Sequence, residues 1–166
     1  MNKYNFAAGC IAELQAEYEA TKKCVERMKW DLFDYKPHPK SMTMGYLVLL
    51  VAEIPHWIAY TIEKGDIDLA TFEHERPDST AALVDFFERC HQGAIKALQG
   101  VDDAGLEEPF TLKLHGRELF KTTKRESIAQ DINHLVHHRG QLTVYLRLND
   151  IPVPAIYGNS ADEKNF

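Results

Sequence analysis

The chain has little of what would place it in several large functional classes. Among 166 residues only three are cysteine, Cys10, Cys24 and Cys90. Their number is odd, their spacing is wide and no CxxC occurs, which excludes a disulfide framework and a cysteine-based zinc motif. Small buried thiols in a reducing compartment are the expectation. Basic charge is also scarce: 19 Lys and Arg stand against 25 Asp and Glu, a net charge of -6. That balance argues against binding nucleic acid by bulk electrostatics. No run of about 18 apolar residues exists, so no membrane-spanning helix is expected. The longest apolar patch, Met44 to Ala52, is soon broken by Glu53 and Pro55. Met1 to Asn5 lack the apolar segment of a signal peptide, which points to a cytoplasmic protein. Neither an internal repeat nor a low-complexity segment is present.

What is there suits one domain, residues 1–166, with a real core. Ile11, Leu14, Tyr18, Thr21, Val25, Met28 and Leu32 recur at spacings of three and four, the stripe of an amphipathic helix. That helix should end near Tyr35, before Lys36-Pro37-His38-Pro39. Ser41 is a good N-cap for a second helix with Leu47, Val51, Ile54, Ile58 and Ile62 on its core face. Pro55 should kink it, and Gly65-Asp66 should end it. A polar loop follows from Asp66 to Pro77. Asp78 or Ser79 then caps a third helix carrying Leu83, Phe87, Cys90 and Ala94, closed by Gly100.

From 101 to 122 the pattern changes. Phe110-Thr111-Leu112-Lys113-Leu114 alternates and His115-Gly116 could turn the chain, giving either a short hairpin or an ordered loop across the bundle end. The fourth helix runs from about Thr123 to Leu148 on Ile128, Ile132, Leu135, Leu142 and Leu146. Pro152 and Pro154 follow its end. Residues from about 155 to 166 form a tail that could lie back through Ile156 and Tyr157, with a frayed end. The fold class expected is all-α: an up-down-type four-helix bundle with a short hairpin or loop between helices 3 and 4.

The chemistry concentrates in Asn133-His134-Leu135-Val136-His137-His138-Arg139-Gly140-Gln141-Leu142. At about 100° per residue, His134 and His138 share one flank of the apolar stripe and His137 lies nearly opposite it. Two neutral imidazoles one turn apart can hold one divalent ion; they can equally be polar residues at a core edge. Asp131, three residues before His134, could accept its spare N–H. Arg139 falls within the apolar stripe. It either orders a carboxylate or anionic ligand, or lays its stem on the core with its head at the bundle end. Gly140 in mid-helix suggests the close approach of another backbone. His38, His74, His91 and His115 read as surface residues.

Four segments carry a resemblance: Ser41-Met42-Thr43-Met44-Gly45-Tyr46-Leu47, Ala52-Glu53-Ile54-Pro55-His56-Trp57, the His134 to Leu142 stretch, and Leu146-Arg147-Leu148-Asn149-Asp150-Ile151-Pro152-Val153-Pro154. Together they resemble the DinB/YfiT-like family. The resemblance implies a four-helix bundle, often a homodimer, with a divalent metal such as zinc or nickel on three histidines. Characterised relatives include bacillithiol S-transferases and mycothiol-dependent isomerases. Two of the implied ligands match His134 and His138. The third falls on Leu50, which cannot bind a metal. Glu53, three residues on, shares that face and could supply an oxygen.

Two functions of different classes follow. In one, a metal on His134, His138 and Glu53 supports transfer to or from a small thiol, or hydrolysis, with Tyr145 and Asp131 placed for proton transfer or orientation. In the other, Leu50 has filled the metal pocket, no metal is held, and the bundle binds a small molecule or a partner without catalysis.

Overall fold

The computed structural model describes residues 5–166. Helix α1 (Phe6–Glu26) starts at Asn5, whose side chain accepts from the Ala8 amide. It stops nine residues short of the expected Tyr35. Met28 and Leu32 keep helical spacing, but a 3-10 turn, Trp30–Leu32, replaces the last turns. The cause is a crossing. Phe33 and Tyr35 carbonyls accept from the Gly45 and Met44 amides, so the chain leaves the helix to reach the next one. The Phe33 ring lies over Gly45, where a Cβ would fall 2.5 Å from it.

Helix α2 (Met44–Lys64) is capped by Thr43, not Ser41: Thr43 Oγ1 accepts from the Tyr46 amide at 3.1 Å. It continues through Pro55 and ends at Gly65, whose φ of 73° is the left-handed cap. By length and composition it could cross a membrane, yet 67% of its most apolar window is buried inside the protein. Helix α3 (Thr80–Gly100) is capped by Ser79, and a short α4 (Asp103–Leu106) follows. Helix α5 (Lys124–Leu148) opens with a capping box of Thr123 and Glu126. In the bundle α2 packs between α3 and α5, and α1 bridges those two on the opposite side.

The fold is mainly helical but not all-α. Strands β1 (Asp66–Asp68), β2 (Pro109–Leu114) and β3 (Arg117–Thr123) form one sheet in that order. β2 and β3 make the antiparallel hairpin, with positive φ at His115 (51°) and Gly116 (75°). β1 joins β2 in parallel, Ile67 opposite Leu112, within the segment expected to be loop. Asp66-Ile67-Asp68 alternates, with only Ile67 buried, but three residues are too short a run to read as a strand; what makes the strand is its anchoring. The Asp68 carboxylate accepts from the Ala70, His115 and Gly116 amides, and these bonds hold its pKa below the usual carboxylate value. Lys124 ties the sheet to the bundle, donating to the Ile62 carbonyl (2.9 Å) and the Glu108 carboxylate (2.7 Å).

Arg139 is 1% exposed and orders a carboxylate. Its Nη1 donates to Glu17 and to Thr21 Oγ1, and its Nη2 donates to the Tyr157 hydroxyl at 2.8 Å. Tyr157 in turn donates to Glu17 at 3.0 Å. The tail is therefore pinned, not frayed: Asp162 pairs with Arg147, and Glu163 with Lys23 and Arg27. No other backbone approaches Gly140, which is exposed with open space where a Cβ would stand. His91 is also not a surface residue; it is 9% exposed and donates Nε2–H to the Leu14 carbonyl at 3.1 Å.

Glu17→Ala should destabilise the fold by about 3–5 kcal/mol, because it strands the Arg139 charge in the core. The double variant Glu17→Leu with Arg139→Met should recover most of that loss. Urea unfolding of the three proteins checks both.

Candidate functional site

Tyr46, Leu50, Glu53 and Trp57 are spaced by four, three and four along α2, so they share its outer face. This face is covered by a loop after β1. Phe72 is its nail: the ring packs edge-on against Tyr60 (5.3 Å) and Trp57 (6.4 Å) and lies 5.8 Å from His56. Two residues on, His74 stands against Phe72 at 5.1 Å and brings Nδ1 within 2.7 Å of Glu53 Oε2. Glu53 is 5% exposed. A carboxylate buried on an apolar helix face needs a partner, and His74 is that partner.

Between α2, this loop and Phe86 of α3 lies a cleft of roughly 230 Å³. Leu49, Leu50, Trp57 and Phe86 make its apolar walls, while Glu53, His74, Glu75 and Arg76 supply its charged and polar groups. A second cleft, of roughly 280 Å³, opens on the other side of Trp57 beneath the sheet. Phe110, Leu112 and Phe120 line it from the strands, and Ser127, Asp131 and His134 from α5. Trp57 lines both clefts, and its Nε1–H is buried without a hydrogen-bond partner among the described residues.

His134 and His138 do come together, with ring centroids 4.5 Å apart, and His137 is exposed. Trp57 packs on His134 at 5.7 Å. Burial, more than the neighbouring imidazoles, lowers the pKa of His134; burial also lowers that of His138 against the opposing Gln141 bond. Both are neutral at pH 7. His138 Nδ1 lies 2.7 Å from Gln141 Oε1, which can only accept, so the Nε2 lone pair is free. Asp131 makes no hydrogen bond to His134; among the described residues none reaches its carboxyl, and burial pushes its pKa up to about 8. The Tyr145 hydroxyl donates to the Met42 carbonyl at 3.1 Å, which fixes the crossing segment instead of facing the imidazoles.

The metal implied by the resemblance finds two well-prepared ligands. Leu50 lines the apolar cleft, and Glu53 is bonded to His74. Among the described residues no three His, Cys, Asp or Glu side chains converge as a metal would require. The donor set does not fit a three-ligand centre. Cysteine chemistry is also remote: burial raises Cys10 and Cys24 to about 11 and Cys90 to about 12, so all three are thiols at neutral pH.

Sequence reasoning found the imidazole pair and Glu53 but missed His74 and Phe72. One signal was available. Glu53 sits on the most apolar helix of the chain, and a buried carboxylate calls for a cationic or N–H-bearing partner elsewhere.

A histidine-bearing four-helix bundle with a small sheet across one end is the class these features define. The DinB family model matches residues 1–165, and the chain belongs to that family. It is 23% identical over 138 residues to the uncharacterized protein YjoA of Bacillus subtilis, covering 82% of this chain and 86% of the relative. The crystal structure of that DinB-like protein is similar in fold, with a TM-score of 0.68 at 21% identity over 87% of this chain and 96% of its own. A DinB-like protein from Bacillus cereus ATCC 10987 gives a TM-score of 0.68 at 24% identity, covering 90% and 97%.

Asp131 supplies a pH test. Its folded-state pKa lies above the unfolded value, so the folded protein holds a proton that the unfolded chain releases, and stability falls as pH rises from about 4 to about 8. Asp131→Asn should therefore stabilise the protein at pH 8, by about 1–2 kcal/mol, and much less at pH 4.5. Denaturation midpoints at the two pH values measure it.

Proposed function

We propose that this DinB-family protein is a small-molecule-binding bundle whose site is the cleft on the outer face of α2. The observation that carries the reading is Leu50. At the position where the resemblance expects a metal ligand, this chain has an apolar wall residue, beside Trp57 and Phe86. At roughly 230 Å³ the cleft is smaller than most drug-sized sites and suits a ligand of about one ring with a short chain.

A second reading has one observation in its favour. The neutral imidazole pair, with the His138 Nε2 lone pair free, is prepared to ligate zinc or nickel. That favours a metal-dependent small-thiol S-transferase or hydrolase, with its third ligand still to be supplied.

Two experiments separate them. Leu50→Trp should fill the cleft and weaken binding of butyrophenone, followed by isothermal titration calorimetry, by about tenfold or more, a loss of at least 1.4 kcal/mol. Unchanged affinity would count against the cleft. Metal analysis of untagged protein incubated with zinc or nickel should find no tightly held ion in the wild type and about one per chain in Leu50→His. A stoichiometric ion in the wild type, lost in His138→Ala, would favour the second reading.

A further inference from the structure

We infer that the cleft hydrolyses small uncharged esters, with His74 as the base that activates water; this rests on the cleft being the binding site. Three observations converge. First, the Glu53 carboxylate accepts from His74 Nδ1–H at 2.7 Å, which fixes the tautomer and leaves the lone pair on Nε2. Glu53 is held inside the fold while the His74 side chain is 53% exposed, so the pair has a rigid end and a wet end. Second, Arg76 lines the same cleft and has no ion-pair partner among the described residues; its neighbour Glu75 is engaged by Arg89. A free guanidinium there can face negative charge that develops on a carbonyl oxygen. Third, no Ser, Thr or Cys lines the cleft among the described residues; Cys90 beside it is a buried thiol, and the Glu75 carboxylate in its wall is paired with Arg89. Water is the nucleophile that remains.

The step balances without a further reactant. Water oxygen bonds to the ester carbonyl carbon as one of its protons passes to His74 Nε2. The carbonyl π pair moves onto oxygen, facing Arg76. When the tetrahedral intermediate collapses, the bond from carbon to the alkoxy oxygen breaks, and the imidazolium returns its proton to the departing oxygen. The products are one carboxylic acid and one alcohol. Leu50, Trp57 and Phe86 would hold the apolar part and admit only short chains or a single ring. Glu53 touches no reacting atom; it is a positioning residue.

The test is hydrolysis of phenyl butyrate by the full chain, followed by acid release, beside binding of butyrophenone, which cannot be hydrolysed. The expected result is turnover above buffer that falls by about a hundredfold in His74→Gln, in the range of general-base catalysis, and does not change in His38→Gln. Glu53→Gln should lower kcat and displace the pH dependence of kcat/KM in protein whose unfolding midpoint matches the wild type, a change of profile that a smaller folded fraction would not give. Butyrophenone binding without turnover, or full turnover in His74→Gln, overturns the inference and leaves the binding site standing. Absence of both binding and turnover overturns the cleft reading as well.

Discussion

Helix α2 carries apolar side chains nearly all the way round, and a four-helix bundle can cover only part of such a helix. Leu47, Val51, Ile54 and Ile58 are fully buried, packed within the bundle between α3 and α5. Tyr46, Leu49, Leu50, Trp57 and Tyr60 remain on the other side. Much of the rest of the molecule covers that residue of apolar surface. The β1 strand draws the chain back along the end of α2, Phe72 presses the following loop onto it, and the hairpin closes over Trp57. The two clefts are the gaps that this irregular cover leaves. A helix packed by another helix would have been sealed by regular ridges and grooves; a loop and a three-stranded sheet cannot match them.

The same cover explains why the polar groups sit where they do. Glu53 is buried because loop and α3 close around it, and it is tolerable because His74 arrives with the loop. Asp131 and His134 lie under the hairpin, where burial holds one as a neutral acid and the other as a neutral base. Remote from these, Arg139 and Glu17 form a buried pair whose desolvation is offset by Thr21 and Tyr157.

Much of this was legible in the sequence, and the reasons for the rest are physical. Helical periodicity fixed four long helices, and the Gly65 and Ser79 ends were readable from local chemistry. Periodicity could not tell α1 from α1 plus a 3-10 turn, because Met28 and Leu32 keep the same spacing in both. Thr43 outcompeted Ser41 because the Phe33 and Tyr35 carbonyls capture the amides just after it. β1 was hidden, since its pairing with β2 spans more than forty residues and its alternation lasts only three residues. At the site, the imidazole pair is a local pattern and was visible. The bond between Glu53 and His74 joins a helix to a loop 21 residues away and leaves no local trace.

The pinned tail has a kinetic side. Tyr157 and Glu163 close on Glu17 and Lys23 across 140 residues of chain, but the docking of α5 on α1 has already closed most of that loop, so these contacts order only the segment beyond Leu148. A terminal segment held by a few part-buried contacts opens at less cost than the packed core. Tail and first helix thus make the seam of the molecule: amide exchange along residues 153–163 should report the first excursion of the native state, well before the α2 core exposes its amides.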